Sequence, residues 1–136
     1  MDQNYPAILI AMQIAALGWR INREISVGDQ GRRTWFPVSD YLNVVSMVLV
    51  ILICIIGPLN TGMKGEAYQI ILSLGFILMG MHPINLIGHY RFLSSRGRSI
   101  YTVDYPYITD HEWVTLTLTA LVVIGYLTVH FLKLIA

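Results

Sequence analysis

This sequence contains few charged residues. Only 12% of its 136 residues are charged, about half the share found in an average soluble protein. Four windows contain no Lys, Arg, Asp or Glu at all: 3–19, 41–63, 67–90 and 113–132. A soluble chain this short would place charges on the wet face of every helix. The pattern therefore excludes an ordinary soluble domain.

The sequence also lacks the motifs of common enzymes. It has no H-E-x-x-H metal motif, no nucleophile elbow, no glycine-rich phosphate loop and no C-x-x-C pair. Its single cysteine, Cys54, cannot form an internal disulfide. The net charge of +1 suggests no nucleic-acid partner. We therefore favour a protein that is not an enzyme, while leaving the question open.

What the sequence does have is apolar windows of membrane-spanning length. Three of the four reach about the 20 residues needed to cross a hydrocarbon core of roughly 30 Å. We predict an all-α, polytopic membrane protein with four transmembrane helices in an up-down-up-down bundle. The whole chain, 1–136, forms one domain, with helices at about 5–21, 41–58, 67–90 and 110–134. The first is the weakest crossing, because its charge-free stretch is short and contains Gln13.

The basic residues predict the orientation of these helices. The segments 20–40 and 91–112 hold four and three arginines, whereas the rest of the chain holds two lysines. Because basic loops stay on the inner side of a membrane, we expect both segments to be cytoplasmic and both termini to be outside.

Small residues indicate where helices approach closely. Ala7, Ala11 and Ala15 recur every four residues on the first helix, the spacing of a small-xxx-small ridge against which another helix can pack. The third helix has glycines at positions 75, 80 and 88, and Pro83 within it predicts a kink. Thr109 and Glu112 have the spacing of a capping box at the start of the fourth helix.

Two helices carry polar stripes, whereas the second helix carries almost none. His82 and Asn85 share a face of the third helix with His89, and the stripe of the fourth helix contains His111, Thr115, Thr119, Tyr126 and His130. Polar groups in hydrocarbon need partners, so these stripes should face each other or a wet cavity. His82, Asn85, Thr115, Thr119, Tyr126 and His130 are thus candidates either for hydrogen bonds between helices or for the lining of a pore.

Histidines at the loop end of the same helices are candidate ligands. His89 and His111 should both lie near the cytoplasmic interface, where they could hold a metal ion or a bis-histidine haem. The alternative is that both are bonded to water, headgroups or backbone. The sequence specifies no cofactor, and the simpler expectation is that the protein binds none.

The remaining candidates concern lipids and partners. Arg91, Arg96 and Arg98 alternate with serines, a pattern that suits anionic lipid headgroups or another anion. The expected partners are the lipid bilayer and other membrane subunits, including further copies of this chain.

Four functions remain open from the sequence, of which a small lipid-modifying enzyme that uses the Arg, His and Asp residues of the cytoplasmic loop is the least favoured. The first is a non-enzymatic subunit of a homo- or hetero-oligomeric membrane complex, suggested by small size and the alanine ridge. The second is an oligomeric pore lined by the polar stripes of helices three and four. The third is a redox subunit that binds haem or metal through His89 and His111.

Overall fold

The computed structural model describes residues 4–31, 34, 36–62, 65–90 and 108–135. Its helices are α1 (Tyr5–Gly28), α2 (Val38–Leu49), α3 (Gly57–Thr61), α4 (Glu66–His89) and α5 (Asp110–Ile135). A π-helical segment, Val50–Ile56, joins α2 to α3, so that Val38–Thr61 forms one continuous second helix. The described part of the chain contains four long helices in all and no strand. The prediction of an all-helical fold is confirmed.

Three of these helices are long and apolar enough to cross a membrane. They are Val38–Thr61, with a mean hydropathy of 2.7, and Glu66–His89 and Asp110–Lys133, each with 1.9. The first helix is not among them within the described residues, because its apolar stretch ends at charged residues of its own second half. The expectation of a membrane protein thus holds for three helices by length and composition.

The ends of the helices follow local chemistry. α1 continues past the predicted end at residue 21 to Gly28, because no Gly or Pro interrupts it there and Arg20 pairs with Glu24 one turn later. Gly31 follows with a positive φ of 72°, a conformation that glycine adopts without strain. In the second helix, Pro58 has no N–H to donate to the carbonyl of Cys54. The helix widens into its π-helical turn just before this proline.

α4 lies at the centre of the fold. It packs against α1, the second helix and α5, whereas α5 packs mainly against α4. Contacts between α4 and the second helix run in opposite order along the two helices: Asp40–His82, Ser46–Gly75 and Cys54–Tyr68. The contacts of α4 with α5 do the same: Glu112–His89, Thr119–Asn85 and His130–Glu66. Both pairs of helices are therefore antiparallel.

The interior of the fold is mostly polar and its exterior mostly apolar. The buried hydrophobic side chains are Leu9, Val50, Cys54, Tyr68 and Leu72. The buried polar side chains are more numerous: Gln13, Arg20, Glu24, Ser39, Asp40, Asn43, Ser46, His82, Asn85, His89, Thr109, Glu112, Thr115 and Thr119. Large apolar side chains point outward from every long helix. This distribution suits a lipid environment, which solvates apolar side chains and leaves polar ones to satisfy each other.

Candidate functional site

The buried polar side chains are gathered at one end of the fold. We call this the loop end, where α1 and α4 finish and α2 and α5 begin. The buried polar residues of all four helices there form what we call the polar layer: Gln13, Arg20, Glu24, Ser39, Asp40, Asn43, Ser46, His82, Asn85, His89, Thr109, Glu112, Thr115 and Thr119. The apolar cluster around Leu9, Val50 and Leu72 lies next to it, further from the loop end.

Arg20 is the most deeply buried basic side chain of the polar layer, with 0% of its surface exposed. Its Nε donates to Asp40 Oδ2 at 2.8 Å, and its Nη2 lies 3.0 Å from Glu24 Oε1. Its Nη1 donates to the hydroxyl of Tyr90 at the end of α4. A buried guanidinium is tolerated only when it is paired and hydrogen-bonded in this way. Arg20 thus connects α1 to α2 and to the end of α4.

Asp40 connects three helices through its two carboxylate oxygens. While Oδ2 accepts from Arg20 on α1, Oδ1 lies 2.7 Å from Nε2 of His82 on α4. The carboxylate is 3% exposed and sits in the first turn of α2, where the helix dipole favours a negative charge. The hydrogen bond to Asp40 also fixes which ring nitrogen of His82 carries its proton.

Glu112 makes a second junction of three helices. Its Oε2 lies 2.9 Å from His89 Nδ1 on α4, and its Oε1 accepts from the backbone N–H of Val38 at 2.9 Å. Its own backbone N–H donates to Thr109 Oγ1 at 3.0 Å, which forms one half of the predicted capping box. The carboxylate does not complete the box as predicted, because it is used to join α5 to α4 and α2.

Asn85 and Thr119 link α4 to α5 at a point further from the loop end than Glu112. Asn85 Nδ2 donates to Thr119 Oγ1 at 3.0 Å, and the Thr119 hydroxyl donates to the Thr115 carbonyl at 2.9 Å. Thr115 in turn donates to the carbonyl of Glu112 at 3.0 Å. The predicted stripes of helices three and four therefore meet through these residues in the interior.

The other predicted site residues lie elsewhere. Tyr126 and His130 stack on each other at 5.8 Å on the half of α5 furthest from the loop end, and His130 Nε2 lies 3.3 Å from Glu66 Oε1. They belong to the opposite end of α5 from the polar layer. Arg91, Arg96 and Arg98 fall outside the described residues.

The candidate ligand pair His89 and His111 lies at the loop end, as expected from its position in the helices. His89 uses Nδ1 for Glu112, an arrangement that also orients histidines that bind metals. His111 is partly buried, and its Nδ1 has no hydrogen-bond partner among the described residues. Within the same residues, no group of three or more His, Cys, Asp or Glu side chains is placed to hold a metal ion. Metal or haem binding by this pair stays a prediction.

α1 and α2 contribute side chains to the polar layer that the sequence patterns did not predict. The expectation that the second helix has almost no polar face is wrong, because Ser39, Asn43 and Ser46 are all buried on it. Gln13 on α1 donates to Ser46 Oγ at 3.1 Å. The signal was present in the spacing: Gln13 and Arg20 are seven residues apart, and so share a helix face.

This geometry has two chemical consequences. The first is that Asp40 and Glu112 together connect all four long helices, and the second is that each carboxylate orients a histidine, His82 or His89. Comparison of the chain with family models, with curated proteins and with solved structures gave no match.

Proposed function

We propose that all four long helices cross the membrane in an up-down-up-down arrangement. Antiparallel packing of α4 with both the second helix and α5 supports this topology. α1 also packs in the opposite direction to the second helix, through Arg20–Asp40 and Gln13–Ser46. The arginine-rich segments 20–40 and 91–112 then face the cytoplasm, and both termini lie outside.

We further propose that the chain is a non-enzymatic subunit of a homo- or hetero-oligomeric membrane complex. The observation that carries this proposal is the outward position of the alanine ridge on α1. Ala7, Ala11 and Ala15 are all exposed, so the ridge is not used to pack the chain's own helices. Gly18 continues the same face, and a Cβ atom added to it would have no heavy atom within 4 Å.

The neighbours of the ridge give it the shape of a packing surface. Ile14 borders it on one side and Ile8 on the other, and these side chains are 57% and 49% exposed. Small residues between large ones leave a shallow groove in which the backbone of another helix can approach closely. Helix association in lipid depends on such close packing, since no hydrophobic force drives it.

The packing of the interior favours assembly with other chains and argues against a pore that runs through a single chain. Beyond Gln13, the centre of the fold is filled by Leu9, Val50 and Leu72. A polar lining therefore does not run through the described part of the chain. A pore between several copies and a haem- or metal-binding redox subunit both stay predictions.

The test is the size of the particle in mild detergent, measured by light scattering for the wild type and two matched variants. Ala11→Leu fills the middle of the ridge, and Ala120→Leu makes the same change on the exposed face of α5. We expect the wild type and Ala120→Leu to be larger than one chain and Ala11→Leu to dissociate. A monodisperse wild-type monomer, or an Ala11→Leu particle of unchanged size, would contradict the proposal.

The absorbance spectrum and metal content of the same preparation test the redox alternative. A Soret band or stoichiometric metal that is lost on His89→Ala would favour it over simple assembly.

A further inference from the structure

α1 differs from the other long helices in how it can enter a membrane. The second helix, α4 and α5 each contain a window apolar enough to insert by composition alone, and α1 does not. The face that α1 buries contains Gln13, Arg20 and Glu24. An isolated helix would expose these groups to lipid, where charged and polar side chains are strongly disfavoured, even though Arg20 and Glu24 pair with each other.

The contacts of Gln13 and Arg20 with other helices are the ones that matter here, since Glu24 pairs with Arg20 and Arg23 on α1 itself. Gln13 donates to Ser46 on α2, and Arg20 donates to Asp40 on α2 and to Tyr90 at the end of α4. The remaining partner of Arg20, Glu24, is on α1 itself and moves with it. Only contacts to other helices can therefore hold α1 in the membrane, and among these contacts only Asp40 brings an opposite charge.

We propose that α1 enters the membrane only by docking onto α2 and α4, and that the Arg20–Asp40 ion pair is the contact that holds it there. The inference rests on the proposed four-crossing topology. When Asp40 is neutralised, Arg20 loses its counter-charge on the neighbouring helix. α1 then leaves the membrane interior for the cytoplasmic surface, where its exposed apolar side chains lie in the interface and its charges reach water. The N-terminus changes sides as a result.

The experiment places a protease-cleavable epitope before Met1 and measures, in sealed cells, the fraction of the epitope that external protease can reach. Asp40→Asn removes the charge and keeps the size of the side chain. Glu112→Gln is the matched control, since it neutralises a carboxylate that is also buried and joins the second helix, α4 and α5. Among the described residues, Glu112 has no hydrogen bond or ion pair to α1. A third variant combines Asp40→Asn with Arg20→Leu, which removes the need for a counter-charge.

We expect the ratio of accessible to protected epitope to fall on the order of tenfold in Asp40→Asn, because Arg20 loses its counter-charge on α2 within the membrane. The ratio should stay at the wild-type level in Glu112→Gln and recover in the double variant. Recovery separates loss of docking from misfolding, because a misfolded Asp40→Asn protein would not be rescued by a change on α1.

The outcomes distinguish the two proposals. An accessible epitope in both the wild type and Asp40→Asn overturns the inference and leaves the four-crossing topology intact. An equal fall in Glu112→Gln, or no recovery in the double variant, also overturns it. A protected epitope in the wild type overturns the proposed four-crossing topology with both termini outside.

Discussion

Gly88 marks the closest approach of two helix backbones, and its replacement by alanine is the sharpest test of the packing described above. A Cβ atom at Gly88 would lie 2.7 Å from the carbonyl oxygen of His111 and 3.0 Å from the Cα of Glu112. It would also overlap with the hydroxyl of Thr115. Two of these neighbours are backbone atoms of α5, which cannot rotate away as a side chain could. α4 and α5 must therefore separate to admit the methyl group.

The size of the effect follows from a comparison with Gly80 on the same helix. A Cβ at Gly80 would have no heavy atom within 4 Å. Both substitutions raise the free energy of unfolding by up to about 1 kcal/mol, because alanine has a better helix propensity than glycine. Only Gly88→Ala has the additional cost of overpacking, about 1–3 kcal/mol. The difference between the two variants isolates this cost, and corresponds to roughly 3–10 °C in melting temperature for a chain of this size.

The single cysteine supplies the assay. Cys54 is buried in the second helix, so a fluorogenic maleimide reacts with it only when the fold opens. Heating the protein with this dye in detergent gives a melting temperature for each variant without an introduced cysteine. We expect Gly80→Ala to melt at or above the wild-type temperature and Gly88→Ala to melt several degrees below it. Equal melting temperatures for the two variants would refute the close contact of α4 and α5 at Gly88.

Three further predictions use the same assay. Gly75→Ala should cost less stability than Gly88→Ala, because its nearest contact is the flexible end of the Leu9 side chain at 2.6 Å and not backbone; an equal or larger loss would contradict this reasoning. Glu112→Gln should lower the melting temperature by the equivalent of about 1–3 kcal/mol, because a fully buried carboxylate loses its charged contact to a histidine; a wild-type temperature would argue against the junction. Asn85→Ala and Thr119→Val should each destabilise the protein. In the double variant their effects on the free energy of unfolding should differ from the sum of the single effects by roughly 0.6 kcal/mol, the size typical of hydrogen bonds between membrane helices. Strictly additive effects would mean that the two side chains do not interact.

Much of the helical fold could be predicted from the distribution of charge. A run of about 20 residues without charge must either span a membrane or lie in a large core, and this chain is too short for the latter. The beginning of α5 was also readable, because the capping spacing of Thr109 and Glu112 reflects a local hydrogen bond. Such features depend on contacts within a few residues, and the sequence contains them directly.

The extent of α1 and the membership of the polar layer could not be predicted with the same rules. Arg20 and Asp40 stand at the edges of charge-free windows, where a charge in a loop and a charge paired inside the fold give the same pattern. What separates the two cases is a partner on another helix, 20 residues away in the sequence, which only the tertiary structure provides. The face shared by Gln13 and Arg20 hinted at burial, but it did not identify what either residue contacts.

The division of the fold into a polar and an apolar end has a physical reason. In lipid, apolar side chains gain little by leaving the solvent for a protein interior, so apolar contacts alone specify the arrangement of helices weakly. Hydrogen bonds and ion pairs are directional and each accepts few partners, so they select one arrangement. In this chain they connect every long helix at the loop end: Arg20 and Asp40 join α1 to α2, His82 adds α4, and Glu112 adds α5.

The half of α5 furthest from the loop end makes contacts of a different kind. It reaches α4 through His130 and the exposed carboxylate of Glu66, and no residue among those described there is buried. An exposed ion pair contributes little to stability, about 0–1 kcal/mol. The position of this half of α5 therefore depends mainly on the junction of Glu112 with α4 and α2 at its start.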